Sequence, residues 1–182
     1  MKNSNGEDID EVFIVDIPED ITKQGDSGPL EGTKTTIPSP PKGALQRRLT
    51  FTAKSTNPGC VGVVRSSPDG SKLAFIANDT KGIKQIYTIG PLGGEMVQET
   101  NHPTDVLSGV RWNPDGTKFC YVWENSIVIH DLISKESVKM TQPTEHEPTN
   151  LVWSHDGKTI AFNRLVANDK DELTKQIFTI NP

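Results

Sequence analysis

Residues 67–75 read Ser-Pro-Asp-Gly-Ser-Lys-Leu-Ala-Phe, and the same pattern returns twice further along the chain. It is Asn-Pro-Asp-Gly-Thr-Lys-Phe-Cys-Tyr at residues 113–121 and Ser-His-Asp-Gly-Lys-Thr-Ile-Ala-Phe at residues 154–162. The turn glycines of the three copies stand 46 and then 41 residues apart. A repeat of about 40–45 residues built from short strands is typical of the blades of a β-propeller. The pattern therefore predicts a propeller architecture.

The Pro-Asp-Gly turn follows from the chemistry of its residues. Proline sets φ near −65° at the first corner, aspartate bonds nearby backbone, and glycine takes the position with positive φ. Asp69, Asp115 and Asp156 are accordingly interpreted as turn formers rather than as a carboxylate site.

Alternating apolar residues around each turn predict four strands per unit. The strand before the turn, strand A, is expected at 63–66, 110–113 and 151–154, and strand B, after it, at 72–77, 118–123 and 159–164. Strands C and D are expected at 85–89, 126–131 and 176–180, and at 96–100 and 138–142. Two further strands, 11–17 and 48–51, resemble C and D of another unit. The predicted fold class is all-β: a partial β-propeller of about three four-stranded antiparallel blades.

These units are too few to close a ring, because a propeller has at least about four blades. Exposed strand edges and apolar faces are expected to remain. We expect a fragment of a larger ring, completed by a missing N-terminal half or, alternatively, by self-association. The predicted organisation is a disordered N-terminus at 1–10 and propeller blades over 11–182. Those blades lie at about 47–101, 109–142 and 150–182, with a long Pro- and Gly-rich surface loop at 18–46.

Composition excludes several classes of function. The net charge of −5 and the pI of about 5.4 argue against nucleic acid as a partner. No apolar run approaches the roughly 18 residues of a membrane span, so no membrane insertion is expected. Residues 1–10 are polar and acidic and contain no signal-peptide core as written. A missing upstream signal would allow a periplasmic location, so the compartment stays open.

Cys60 and Cys120 are too few for a zinc site and are expected to be unpaired.

Two arginines are candidate ligand-binding residues. Arg65 and Arg111 share one repeat position on the innermost strand, where the third copy has Val152. From there their guanidinium groups would face the central channel and bind a carboxylate. The alternative is that they pair with carboxylates of neighbouring blades. Trp112 and Trp153, at the next repeat position, are expected to pack between blades.

Two histidines are the second pair of candidates. His102 and His146 lie in the D–A connectors of adjacent blades, near Asp105, Glu145 and Glu147. Connectors at this place would lie at the rim of the channel, where a ligand or a divalent metal could be held. The alternative is that both are solvated loop residues. No cofactor or metal is predicted.

Catalytic motifs are missing from the sequence. There is no Gly-x-Ser-x-Gly nucleophile motif, as in the hydrolase domains that accompany peptidase propellers, and no Gly-rich phosphate loop. The loops 78–82 and 168–172 lack the spaced oxygen ligands of an EF-hand. No catalytic residue is assigned, and the chain is expected not to be an enzyme.

The pattern at residues 153–162, with Gln-Ile-Tyr-Thr-Ile at 85–89 and Gly-Gly-Glu at 93–95, resembles the repeat of TolB-type propellers. The order of Phe13-Ile14-Val15, Pro-Ser-Pro-Pro at 38–41 and Gln-Arg-Arg-Leu-Thr-Phe-Thr at 46–52 resembles the C-terminal half of the uncharacterised bacterial domain-of-unknown-function family 3748. The resemblance covers about residues 11–182 and implies an N-terminal half with blades of its own. That family has no assigned activity, and TolB proteins imply a protein-binding scaffold.

The expected function is therefore a non-catalytic TolB-like module that binds a protein or small-molecule ligand on its channel face. Two alternatives remain. One is a carbohydrate-active propeller resembling the oligogalacturonide lyases, which hold a His-bound divalent metal in the channel. The other is the propeller domain of a peptidase.

Overall fold

The computed structural model describes residues 1–182 and contains thirteen β-strands with one 3-10 turn at Thr52–Lys54. We number the strands in chain order: β1 Phe13–Asp16, β2 Leu45–Arg48, β3 Cys60–Ser66, β4 Leu73–Asn78, β5 Lys84–Gly90, β6 Gly93–Gln98, β7 Arg111–Trp112, β8 Lys118–Trp123, β9 Ser126–Asp131, β10 Ser137–Lys139, β11 Thr149–Trp153, β12 Ile160–Ala167 and β13 Leu173–Ile180. No helix in the structure is long and apolar enough to span a membrane.

The strands form four antiparallel sheets of two, four, four and three strands. The first sheet is β1–β2; the first blade is β3 to β6, the second β7 to β10 and the third β11 to β13, each in meander order. The predicted all-β partial propeller is confirmed, including the missing fourth strand of the third blade. The predicted domain boundaries stay predictions.

The repeated turns are built as the sequence predicts. Asp69 accepts the backbone N–H of Ser71 at 3.1 Å and the Ser67 hydroxyl at 2.6 Å. Asp115 and Asp156 accept the backbone N–H groups of Thr117 and Lys158 in the same way. The turn glycines have φ of +72°, +73° and +70°. The three aspartates are turn formers.

The D strands end earlier than predicted, because beyond their ends a threonine hydroxyl, rather than a backbone carbonyl, accepts the next cross-strand hydrogen bond. Strand β2 covers 45–48 rather than 48–51, and β6 covers 93–98 rather than 96–100. Beyond β6, Glu99 N–H bonds the Ile86 carbonyl and Thr100 Oγ1 accepts the Ile86 N–H at 2.9 Å. The same closure is made by Leu49-Thr50 on Val12 and by Met140-Thr141 on Ile127.

The apolar core lies between successive sheets. Residues of the first blade that face the second blade, such as Ala74 and Ile86, pack on Val110 and Phe119 of that blade. In the same way, Cys120 and Ile127 pack on residues of the third blade, and β1–β2 covers the other face of the first blade. Trp112 and Trp153 lie in the two blade interfaces, which confirms their predicted packing role.

The N-terminal segment and the long connector each contain a few local contacts. The Met1 amine bonds the Ile9 carbonyl at 2.8 Å, and Lys2 bridges to Asp8. Between β1 and β2 the only strand-like contact is an isolated bridge from Gln24 to Pro41.

Candidate functional site

The innermost strands place the two predicted arginines side by side. Strand β7 contacts both β3 and β11, so the A strands of the three blades run next to one another. Arg65 pairs with Ala74, Arg111 with Cys120 and Val152 with Ala161, which places all three at one repeat position.

Neither arginine has a carboxylate partner. No ion pair within 4.0 Å involves Arg65 or Arg111, so the predicted alternative of pairing with blade carboxylates does not apply. Arg65 Nε is buried without a hydrogen-bond partner, and Arg111 Nη1 donates to the Val110 carbonyl at 3.0 Å. Burial, and then the positive charge of Arg65, lower the pKa of Arg111 below its usual value. Two like charges are thus held close together without a counter-ion.

A cavity of about 410 Å³ opens beside Arg111. Its walls come from β7, β11 and the turns that follow the A strands, and they are Pro68, Arg111, Trp112, Val152, Trp153 and His155, among others. We call this space the arginine cavity. His155, which replaces the turn proline of the third repeat, therefore lies in the same cavity as Arg111. The sequence pattern placed it only in a turn.

The two predicted histidines make different contacts. His102 Nε2 lies 2.6 Å from the Tyr121 hydroxyl, and the His102 ring stacks on Trp123 with centroids 4.0 Å apart. Burial, and then the charge of His130, lower the pKa of His102. His146 has no side-chain hydrogen bond, and its carbonyl accepts the Thr144 hydroxyl. His102 therefore belongs to the interface between the first two blades.

That interface contains a polar network which the sequence did not reveal. Thr88 donates to Glu99 at 2.7 Å, Lys135 Nζ lies 2.5 Å from Glu99, and His130 Nε2 lies 3.7 Å from it. His130 Nδ1 contacts Ser137 Oγ at 3.0 Å. Ser137 Oγ in turn accepts the Tyr121 hydroxyl, which contacts His102. The only signal in the sequence is the presence of charged and imidazole side chains within otherwise apolar strands.

The residues present do not make a metal centre. No group of three or more His, Cys, Asp or Glu side chains is placed to hold a metal ion. The His102 imidazole has its nitrogen on Tyr121 and its ring on Trp123, and the predicted ligand-binding role of His102 and His146 stays a prediction. The chemistry that the arginine cavity supports is recognition of an anion, because the guanidinium group of Arg111, which has no carboxylate partner, lies beside the indoles of Trp112 and Trp153 and favours carboxylate or phosphate oxygens. Arg65 is not among the residues that line this cavity.

Comparison with known families gives one match over most of the blades. The family model described as "Dipeptidyl peptidase IV (DPP IV) N-terminal region" matches residues 67–171.

Two curated relatives share sequence with the chain. The chain is 39% identical to the uncharacterized protein YidR of Escherichia coli K12 over 165 residues, which is 86% of this chain and 40% of that protein. It is 33% identical to the uncharacterized peptidase YuxL of Bacillus subtilis over 122 residues, 62% of this chain and 16% of that protein. The chain thus spans less than half the length of either relative.

Two solved structures share the fold. A putative TolB from Agrobacterium tumefaciens superposes with a TM-score of 0.56 and 22% identity, over 81% of this chain and 48% of that one. An oligogalacturonate lyase from Vibrio parahaemolyticus superposes with a TM-score of 0.58 and 17% identity, over 95% of this chain and 45% of that one. Both likenesses establish a TolB-like propeller architecture.

Proposed function

We propose that this chain, which belongs to the family of the dipeptidyl peptidase IV N-terminal region, binds an anionic ligand without catalysing a reaction. In this proposal the ligand is a protein segment or small molecule that places a carboxylate in the arginine cavity. The finer affiliation, to the C-terminal half of the uncharacterised family 3748, is part of the same proposal.

The observation that carries the proposal is the uncompensated arginine pair. A structural arginine at a blade interface normally finds a carboxylate, and the like charges of Arg65 and Arg111 repel each other without one. The guanidinium geometry accepts a carboxylate in bidentate fashion. Trp112 and Trp153 add apolar walls to the cavity that Arg111 lines. A ligand carboxylate in the cavity would thus compensate the charge of Arg111 and relieve its repulsion with Arg65.

The rival functions use other parts of the chain. A lyase resembling the oligogalacturonide enzymes would need a metal, and the residues present do not form its ligand set. A peptidase propeller would act with a hydrolase domain, for which residues 1–182 provide no nucleophile motif. The lyase would bind an acidic sugar only with its metal, whereas the proposed carboxylate recognition needs no metal.

Binding of a short acidic peptide tests the proposal. We would titrate the chain with tri-glutamate, with tri-glutamine amide as the uncharged probe and with trigalacturonate as the carbohydrate probe, and measure heat release. Tri-glutamate is expected to bind, and Arg65→Gln/Arg111→Gln to weaken that binding about tenfold or more, because charge-assisted hydrogen bonds contribute about 1.5–3 kcal/mol. Binding should also weaken at high salt.

Arg164 provides the matched control. It also has buried guanidinium nitrogens without partners, yet it lies on β12, the second strand of its blade, and does not line the arginine cavity. Arg164→Gln should leave tri-glutamate binding unchanged. Equal binding of tri-glutamine amide, or unchanged binding in the double arginine variant, would contradict the proposal. Metal-dependent binding of trigalacturonate alone would favour the lyase reading.

A further inference from the structure

A serine and a histidine face each other on the last two strands of the second blade. Ser137 of β10 lies directly opposite His130 of β9 in the antiparallel register, and Ser137 Oγ is 3.0 Å from His130 Nδ1. Side chains at directly opposed positions point to the same face of a sheet. The register of the sheet thus holds a hydroxyl and an imidazole within hydrogen-bond distance.

The two side chains differ in their access to water. Ser137 is exposed, whereas the His130 side chain is 0% exposed and its ring stacks on Phe119 with centroids 5.0 Å apart. The imidazole therefore has a fixed orientation inside the blade interface, and the serine lies at the surface. A reagent from solution can approach the serine without displacing the histidine.

The negative charge of Glu99 decides which nitrogen of His130 has the proton. Glu99 Oε2 lies 3.7 Å from His130 Nε2, too far for a hydrogen bond, and both side chains are fully buried. A lone pair on Nε2 would be repelled by this carboxylate, whereas an N–H would be attracted to it. The neutral ring therefore has its proton on Nε2, which leaves Nδ1 as an acceptor toward Ser137.

The hydroxyl of Tyr121 completes the same pattern of donation. It donates to Ser137 Oγ at 3.1 Å, so the proton of Ser137 is free to point to His130 Nδ1. His102 Nε2 lies 2.6 Å from the Tyr121 oxygen and is then the donor in that contact. Donation thus runs in one direction, from His102 through Tyr121 and Ser137 to His130.

We infer that Ser137 is a nucleophilic serine that accepts an acyl group from an activated carboxylic ester, with His130 as its general base and Glu99 as the residue that positions the imidazole. A hydroxyl beside a base, with a third group that orients the base, is the arrangement that activates a serine. This site lies between the first and second blades, apart from the arginine cavity, and it does not depend on the proposed function.

The reaction needs only the ester and the serine. As Ser137 Oγ forms a bond to the carbonyl carbon, His130 Nδ1 takes the hydroxyl proton, and the ring becomes positively charged beside Glu99. The Tyr121 hydroxyl, 3.1 Å from Oγ, is a donor for the carbonyl oxygen while that oxygen is negative. The bond from carbon to the leaving oxygen then breaks, and that oxygen takes the proton from Nδ1. The products are an ester of Ser137 and a free alcohol.

Acetylation by p-nitrophenyl acetate tests the inference. Nitrophenolate release is followed, and the acetylated residues are identified by peptide mass mapping. Ser134 is the matched control, because it is exposed in the turn before β10 and its hydroxyl contacts only the Glu136 backbone N–H, at 3.4 Å. We expect Ser137 to be acetylated at least about a hundredfold faster than Ser134, since a positioned general base accelerates a reaction by about 10²–10⁴.

Three substitutions separate the roles of these residues. Ser137→Ala should abolish the fast release of nitrophenolate, and Ser134→Ala should leave it unchanged. His130→Gln should slow the acetylation of Ser137 about a hundredfold or more. Because His130 is buried, urea denaturation is used to check that this variant folds.

The tautomer of His130 gives a test that does not depend on acetylation. Nitrogen NMR of the imidazole in the natural chain should show the proton on Nε2. Glu99→Gln removes the negative charge, so it should increase the share of the Nδ1–H form and slow the acetylation of Ser137. A role of Glu99 in packing alone would leave the tautomer as it is.

Three outcomes would overturn the inference. One is a natural chain with the proton of His130 on Nδ1, because Ser137 would then have no base. The second is acetylation of Ser137 no faster than that of Ser134. The third is acetylation of Ser137 at the full rate in a folded His130→Gln chain. If that variant does not fold, the tautomer and the ratio of the two serine rates in the natural chain decide the question.

Discussion

His130 Nε2 lies 3.7 Å from Glu99 Oε2, and the side chains of both residues are fully buried between the first and second blades. Lys135 reaches the same carboxylate oxygen from the turn between β9 and β10. An ionised carboxylate at such a place is costly unless neighbouring donors compensate for its burial. The two blades are therefore joined by a charged contact as well as by an apolar one.

Glu99→Gln is expected to destabilise the chain. The variant loses the ion pair with Lys135 and the negative charge beside the buried His130 ring, and replaces one carboxylate oxygen by an amide group that cannot accept a hydrogen bond. We expect a decrease in the free energy of unfolding of about 1–3 kcal/mol, measured by urea denaturation. Glu95→Gln is the control, because Glu95 lies on β6, is exposed and makes no such contact. Equal effects of the two substitutions would contradict a stabilising role for Glu99.

The same carboxylate predicts a dependence of stability on pH. Burial by itself raises the pKa of Glu99, but contacts with His130, Lys135 and Thr88 outweigh it and lower the pKa from 4.5 to about 2. A carboxylate with a lowered native pKa contributes stability that is complete above its unfolded pKa and is lost as pH falls. The difference in unfolding free energy between the natural chain and Glu99→Gln should therefore shrink between about pH 4.5 and pH 2. A difference that stays constant over this range would argue against the assignment.

The indole N–H groups of Trp112 and Trp153, which donate to the Arg65 and Arg111 carbonyls, are expected to contribute separately to stability. Replacing either indole by its sulfur isostere, benzothienylalanine, keeps the ring in the blade interface and removes only the N–H donor. Each replacement should lower the free energy of unfolding by about 0.5–1.5 kcal/mol. Chemical denaturation measures this, and the two positions should give similar values because both bonds are 3.0 Å long. If neither replacement has an effect, packing alone holds the blades together.

The turn glycines are expected to be required for their backbone conformation. Gly70 has φ of +72°, and an added Cβ would meet no atom within 4 Å, so Gly70→Ala introduces backbone strain without a clash. We expect a loss of about 1–2 kcal/mol in unfolding free energy. Gly70→Asn should cost less, because asparagine adopts the left-handed conformation more readily. Equal stability of the alanine and glycine proteins would contradict the role of this turn.

Cys120 is expected to report on opening of the interface between the second and third blades. Its side chain is fully buried, and burial raises the pKa of the thiol to about 12, so little thiolate forms at neutral pH. A thiol reagent should modify it only after unfolding, at a rate that rises with denaturant. Rapid modification in the native state would show that this interface opens without unfolding.

Short-range chemistry made the blade repeat predictable. The turn at Asp69 and Gly70 and the strand that follows it depend on residues within a few positions, so β8 and β9 were predicted well from alternation alone. The ends of the D strands were not, because Thr50, Thr100 and Thr141 bond with the side chain where a backbone group was expected. A hydrogen bond to a side chain instead of to the backbone leaves the apolar pattern unchanged, so that pattern does not predict where these strands end.

By itself, the sequence determined that this protein is built from antiparallel blades, that its turn aspartates are structural, and which residues lie on the innermost strands. Only the tertiary structure decided what those residues contact. Arg65 and Arg111 lie together without a carboxylate, His102 is held by Tyr121 and Trp123 rather than by His146, and Glu99 meets His130 across a blade interface. These relationships join residues that are far apart along the chain. They depend on how the blades pack side by side, which a local pattern of apolar and turn residues does not specify.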